Sequence, residues 1–553
     1  MARLLSEITA DLGGGMNDSA APLSMPKNAA RTLYNARLNP DGTAQRRSGS
    51  IRLSAAPLFA GTGYGGSRFT TAGGTDQMVV IFGDEAFSTA DYGGTWSAAI
   101  ANGLREDYYS FASMRVGATN YLFAANGDTT VKRWNGTVWD TLPNAPSGVK
   151  YLACFNGRLY ATGHSGVLVQ ASAIGDPTLW ASPDGLTIQV ADVPTGLYQI
   201  GPHLLVFNRH ATSYIDGYGE QTIVVASGAT GFSRSVGCVG FRTVVGVGDN
   251  AVCWLSERGV EYYSPSAGIQ LLSKSVQMFL QGIDWEESYA NPGRMTAAYV
   301  DGAQDYVLGL STNGVRNNRE LVLNLLDEVQ YQRVGPRGSA TIDQLNSPVG
   351  GDVLLGSDDG IYLANVDGGS EVGADADGYL TLAASGVTLG GDLDGYLGAV
   401  TNDTLPATLF TAPSATNPST LYSLGYDGYV RRHFGVSKDD ELSDGTSGTD
   451  VTMTIVSRPF MLGRARQRKR VREVYVSAIS DEDATVEVAV RGGGVETRRH
   501  TLTFAATGLQ QSRRKRAMVN VVADDPQVVC FVTSDAKVAL VGVGAELLKE
   551  PGQ

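Results

Sequence analysis

The residues best able to do chemistry are few and poorly spaced for it. Five histidines (His164, His203, His210, His433, His500) stand apart, with no HExxH and no His-x-His. The four cysteines, Cys154, Cys238, Cys253 and Cys530, form no CxxC pair. A zinc centre needs N and S ligands gathered at short, regular spacing, so no metal and no cofactor is expected. Gly163-His164-Ser165-Gly166 begins like a nucleophile elbow, but Val167 stands where the closing glycine belongs. Its flanks also read as a hairpin, not the strand-to-helix turn that the elbow requires. Gly61-Thr62-Gly63-Tyr64-Gly65-Gly66 matches GxGxxG without a surrounding βαβ unit, and reads as a turn. Acid pairs such as Asp216 with Glu220, or Glu286 with Glu287, would serve a glycosidase only if they shared a pocket. Nothing in the pattern says that they do, and the chain is expected not to be an enzyme.

Two further sets of residues have binding chemistry. Asp375-Ala376-Asp377-Gly378 is echoed by Asp392-Leu393-Asp394-Gly395 and by Tyr426-Asp427-Gly428-Tyr429. Such acids can converge on calcium, but the bidentate Glu that ends a calcium loop is missing, so these read as Asp-Gly hairpin turns, with calcium as the alternative. Basic residues cluster at Arg464, Arg466, Arg468, Lys469, Arg470 and Arg472, and again at Arg513, Arg514, Lys515 and Arg516. Arg466, Arg468, Lys469 and Arg470 read as a solvated face or a subunit seam; DNA phosphate contact, which would be salt-dependent, is the alternative. No aromatic residues interleave to make a base-stacking platform. The net charge of −13 argues against nonspecific nucleic-acid binding by the chain as a whole.

The elements that must position these residues are short strands. From Tyr151, the apolar run to Phe155 meets an Asn156-Gly157 turn, then Leu159-Tyr160-Ala161, then Val167-Leu168-Val169, closing at Gly175-Asp176-Pro177-Thr178-Leu179-Trp180. Asn-Gly between apolar runs is a strong hairpin signal. Similar phrases close at Trp96 and Trp139, so the three tryptophans are 43 and 41 residues apart. A repeat of roughly 40–45 residues with three or four strands is the pattern of a β-propeller blade. Residues 269–285 break the pattern: Leu272, Val276, Phe279, Leu280 and Ile283 share one helical face, with Ser273 or Ser275 as its cap.

The fold expected is all-β: a β-propeller of six or seven blades over 51–365, a Gly/Asp-rich β insertion projecting from it over 366–450, and a C-terminal β-sandwich over 451–553. Residues 1–50 form an arm with too little apolar content to fold alone. At 553 residues the chain exceeds one core. Its 69 glycines and 20 prolines fit a turn-rich β protein. The start lacks a secretory pattern, no apolar run reaches membrane-spanning length, and the scattered cysteines fit reduced thiols.

The arm carries a resemblance. Gly14-Gly15-Met16-Asn17, then Pro26-Lys27-Asn28-Ala29-Ala30-Arg31-Thr32-Leu33-Tyr34-Asn35, then Asp41-Gly42 with Arg46-Arg47-Ser48-Gly49, resemble the N-terminal passage of tail nozzle proteins (tail hub, packaged-DNA stabilisation) of short-tailed bacteriophages. The blade phrases Asn156–Ala161, Gly175–Trp180 and Val252–Val260 are similar to that family's repeats. The resemblance implies a virion tail protein, assembled in the host cytoplasm into a homo-hexameric ring. The ring would sit below the portal-adaptor complex, touch tail fibres or tailspikes, and pass double-stranded DNA without sequence specificity. Arg31, Arg46 and Arg47 are then candidates for subunit docking. The alternative function is a glycan-binding propeller that recognises a host surface, with Tyr262, Tyr263 or Trp285 as its aromatic cradle.

Overall fold

The computed structural model describes residues 4–9, 12–21, 24–39, 41–91, 94–190, 192–216, 222–224, 235–248, 250–283, 285–311, 316–325, 329–333, six short strands between 354 and 399, and 406–414, 419–433, 438–439, 448–460, 468–492, 495–506, 512–533 and 538–549. It is built almost wholly of antiparallel strands. The Asn156-Gly157 hairpin shows why the local pattern was readable. Both residues take positive φ, 46° and 71°, the pair that a tight right-twisting hairpin demands.

Six small sheets, and the first strands of a larger one, follow one another as propeller blades do. Their first strands are Gly63–Thr70, Ser110–Val116, Tyr151–Phe155, Pro194–Ile200, Val245–Val247, Thr296–Val300 and Thr408–Ala412. Each sheet packs on the next, and the last packs on the first. The apolar residues lie between sheets: Leu159 and Trp180 with Phe123; Phe155 with Leu204; Phe207 with Trp254; Phe410 and Leu424 with Phe82. No blade-sized sheet could bury both faces alone, so the ring arrangement follows from the burial.

Neighbouring sheets are also latched by hydrogen bonds, most of them at the near ends of these first strands. Tyr109 N donates to Tyr64 O at 3.0 Å, and Leu152 N donates to Ser110 Oγ at 3.1 Å. Thr195 Oγ1 donates to Cys238 O at 2.9 Å and Tyr306 Oη to Thr243 O at 2.7 Å. Leu409 N donates to Thr296 Oγ1 at 3.1 Å, and Thr408 Oγ1 ties the last sheet to the first through Gly63 O at 2.7 Å. The GxGxxG match lies here, in a strand where the sequence pattern predicts a turn. A side chain at Gly65 would meet the Phe111 ring at 2.8 Å, and one at Gly66 the Phe410 ring at 2.6 Å. These glycines let neighbouring sheets close in.

The N-terminal residues are woven through the molecule. Ser50–Arg52 is the outer strand of the last sheet, paired with Val430–His433. The strands at 408–433 therefore build the last propeller sheet, where the sequence pattern places them in the 366–450 insertion. Much of that insertion lies outside the described residues. Ala30–Tyr34 pairs with Met453–Ser457 on one side and with Val329–Arg333, through Tyr34 and Gln332, on the other. One ten-stranded sheet thus runs from Thr296–Val300 into the C-terminal sandwich. The facing sheet holds Ala36–Leu38, Ala44–Arg46, Val538–Lys549, Arg468–Ser480 and Arg513–Asp524, with Leu4–Thr9 also on Val538–Lys549.

The helical stretch is shorter and capped differently from expectation. Gly268–Leu271 is a strand; a single 3-10 turn at Lys274–Val276 leads into Gln277–Leu280. Ser273 does not cap it but accepts from Val260 N at 3.0 Å. The caps come from the arm: Phe279 N donates to Asp18 Oδ2 at 2.7 Å and Gln277 N to Ser19 Oγ at 2.8 Å.

Candidate functional site

The first strands of the sheets begin at one end of the ring, and polar residues at and just outside their starts gather there. Tyr64 and Tyr108 meet edge to face at 5.4 Å. Tyr108 packs so close to Gly293 that a side chain at 293 would strike its Cβ at 2.5 Å. The Arg242 guanidinium lies 4.6 Å over the Tyr108 ring, donates to Gly293 O at 2.6 Å, and also bonds Thr408 Oγ1. Burial lowers its pKa to about 10, against the pull of Tyr108, Tyr426 and Asp107. Arg316 is exposed and stands 4.9 Å over the Tyr426 ring, whose hydroxyl accepts from Asn317 N at 2.9 Å. Burial first, then Glu106, raises the Tyr64 hydroxyl. The cluster offers aromatic edges, two guanidinium groups and nearby acids at a ring mouth, a combination suited to a polar ligand with flat apolar faces.

The residues singled out in the sequence are distributed otherwise. Arg47 is buried and donates to Asn35 Oδ1 at 2.9 Å and Ser48 O at 2.9 Å. Arg46 reaches Val451 O at 3.3 Å, and Arg31 reaches Ala20 O at 3.1 Å. These bonds of Arg47 and Arg31 run within the arm and that of Arg46 reaches the C-terminal region, where the resemblance has all three docking a neighbour. Lys469 is only 2% exposed and pairs with Asp525 at 3.3 Å. Alternation along a strand turns it inward and leaves Arg468 and Arg470 exposed. Lys469 therefore drops out of the basic face. Arg466 lies outside the described residues.

Tyr262 and Tyr263 do not form one cradle. Neighbours on a strand face opposite ways: Tyr263 is buried beside Trp254, whereas Tyr262 lines a cleft of about 240 Å3 with Gln270, Gln304 and Leu323. Trp285 starts a short helix, Trp285–Ala290, and packs on the main core. Glu287 is engaged by Asn291 and by Arg294, each through Oε1. Gly163 and Gly166 take φ of 82° and 50° in a loop between Arg158–Thr162 and Leu168–Ala171, which is the hairpin expected in place of an elbow. Among the described residues no group of three His, Cys, Asp or Glu could hold a metal ion. The Asp427-Gly428 turn joins two strands, and Asp427 pairs with Arg431; the turns at 375–379 and 392–396 lie outside the described residues. Among the described residues no helix is long and apolar enough to cross a membrane. Sequence reasoning missed the ring mouth, since Tyr64, Tyr108, Arg242 and Arg316 share no motif.

No protein-family model and no curated protein matches the sequence. Solved structures do, in fold. BBS1N, in a complex with ARL6DN, is 13% identical over 70% of this chain and 98% of its own, with a TM-score of 0.37. An exo-beta-1,3-galactanase from Phanerochaete chrysosporium is 11% identical over 80% of this chain and 97% of its own, with a TM-score of 0.24. A glycoside hydrolase family 43 arabinoxylan arabinofuranohydrolase from Bacillus subtilis is 11% identical over 90% of this chain and 99% of its own, with a TM-score of 0.23. Two of the three are enzymes by name, which runs against the expectation that this chain is not an enzyme, and that expectation is not carried further. The likeness is one of fold: this is an all-β, propeller-type protein with a C-terminal sandwich.

Proposed function

We propose that the chain is a ring-forming structural subunit of a bacteriophage tail. As a nozzle, six copies would extend the DNA channel below the portal-adaptor complex and retain packaged DNA until ejection. One observation supports this most: the residues that resemble the nozzle family's N-terminal passage are the ones that tie the molecule together. Asn35, at φ 51°, donates to Thr452 O at 3.0 Å and accepts from Arg47. Gly42, at φ 78°, and Asp41 turn the hairpin that sets Ala44–Arg46 on Val538–Lys549. Strands from 30–52 join the sandwich, the sheet it shares with the propeller, and the last propeller sheet. A subunit braced in this way suits a conduit wall under load. A net charge of −13 would let DNA pass without adhering.

The test is to raise antibody against the chain and label phage particles purified from the source. Stoichiometric label at the tail tip is the expected result. Absence of the chain from particles would overturn the tail assignment. A second reading, recognition of a surface glycan, draws on the ring mouth, where Tyr64, Tyr108 and Arg316 would contact a sugar. Binding on a glycan array that is lost in Tyr108→Ala would favour it.

A further inference from the structure

The outer face of the sandwich sheet holds a second constellation. Arg513–Asp524 is twelve residues long and pairs, among the described strands, only with Arg468–Ser480. A long free edge is a ready surface for another chain. Across the two strands Arg514 faces Ser477, Arg516 faces Tyr475, Met518 faces Glu473, and Val522 faces Arg470. Met518 and Val522 are 50% and 43% exposed, and Arg514 lies 5.0 Å over the Tyr475 ring. Exposed apolar residues ringed by arginine and tyrosine match the make-up of protein interfaces. A basic run that only guarded an edge against aggregation would not carry Met518 and Val522 beside it.

Charge identifies the partner. Residues 451–553 hold sixteen Lys and Arg against eleven Asp and Glu, a net of +5, while 1–450 carry −18. We infer that this face, centred on Arg514, Arg516, Met518 and Val522, docks the acidic body of a second copy of the chain. The contact is head to tail, with different patches on the two copies, and such contacts close into rings when the rotation allows. The inference rests on the ring reading and gives it a contact surface.

The full-length chain should sediment as a multi-copy species at about 50 mM salt and dissociate towards about 500 mM, because the steering charges are screened. Arg514→Glu with Arg516→Glu should weaken assembly at least about tenfold at low salt, which is about 1.4 kcal/mol. Met518→Asp should weaken it at either salt concentration, and unchanged melting temperatures would show that the variants are folded. A monomeric wild-type chain, or variants that assemble as the wild type does, would overturn the inference. So would a pattern in which the arginine variants assemble normally and lose only the retention of duplex DNA. Particle labelling decides the tail assignment separately, so the two can fail independently.

Discussion

At the scale of single residues, the side chains with the most to lose are buried charges and turn acids. Arg431 is 1% exposed, and its Nη1 donates to Asp427 Oδ1 at 2.9 Å. Removing one partner of a buried pair strands the other. Asp427→Ala should therefore cost about 3 kcal/mol in denaturant unfolding. Asp91 behaves differently because it is exposed. Hydrogen bonds from the Thr89 hydroxyl and the Thr95 backbone N–H hold its carboxyl at about 2, against an ordinary 3.8. A carboxyl with a depressed folded pKa stabilises the fold above its unfolded pKa, and that stabilisation is lost as pH falls through the folded one. Asp91→Asn should flatten the acid limb of melting temperature against pH between 3.8 and about 2. Turn residues were legible in the sequence: Asn156-Gly157 and Asp427-Gly428 act as their chemistry requires. Arg47 and Lys469 were not legible as buried, because a basic residue looks the same whether its partner is solvent, the Asn35 amide or the Asp525 carboxylate.

Elements tell a similar story about reach. The C-terminal sandwich expected over 451–553 is built of strands, His500–Phe504 and Gln527–Val532 among them. The helical face at 272–283 was readable as apolar spacing, but its length was not, since Gly268–Leu271 joins a sheet edge and its caps lie about 260 positions upstream. Asp18→Ala should loosen both ends of that contact, costing about 1 kcal/mol. Faster proteolysis of the arm would report it. Thr408→Val removes a donor to Gly63 O and should cost about 1–2 kcal/mol by leaving a buried carbonyl unpaired. Thermal unfolding of the variant would measure that loss.

For the whole molecule, the arm is structural. Residues 1–50 alone read as a docking appendage, because local composition says nothing of partners near the other end of the chain. A chain lacking residues 1–52 should fail to give a cooperatively folded protein, since it removes strands from the last propeller sheet and from both sandwich sheets. A sharp, native-like melting transition in that deletion would contradict this. The same weave sets a timetable for synthesis. Ser50–Arg52 emerges early and must wait for Val430–His433, about 380 residues later. At about 5–20 residues per second, that is roughly 20–80 seconds. Leu4–Thr9 waits longer still, for Thr9 pairs with Val543 and Leu4 with Leu548. Ribosomes that stop short leave chains whose first strands have no partner, so a truncated product is marked by its own beginning before it can enter any assembly.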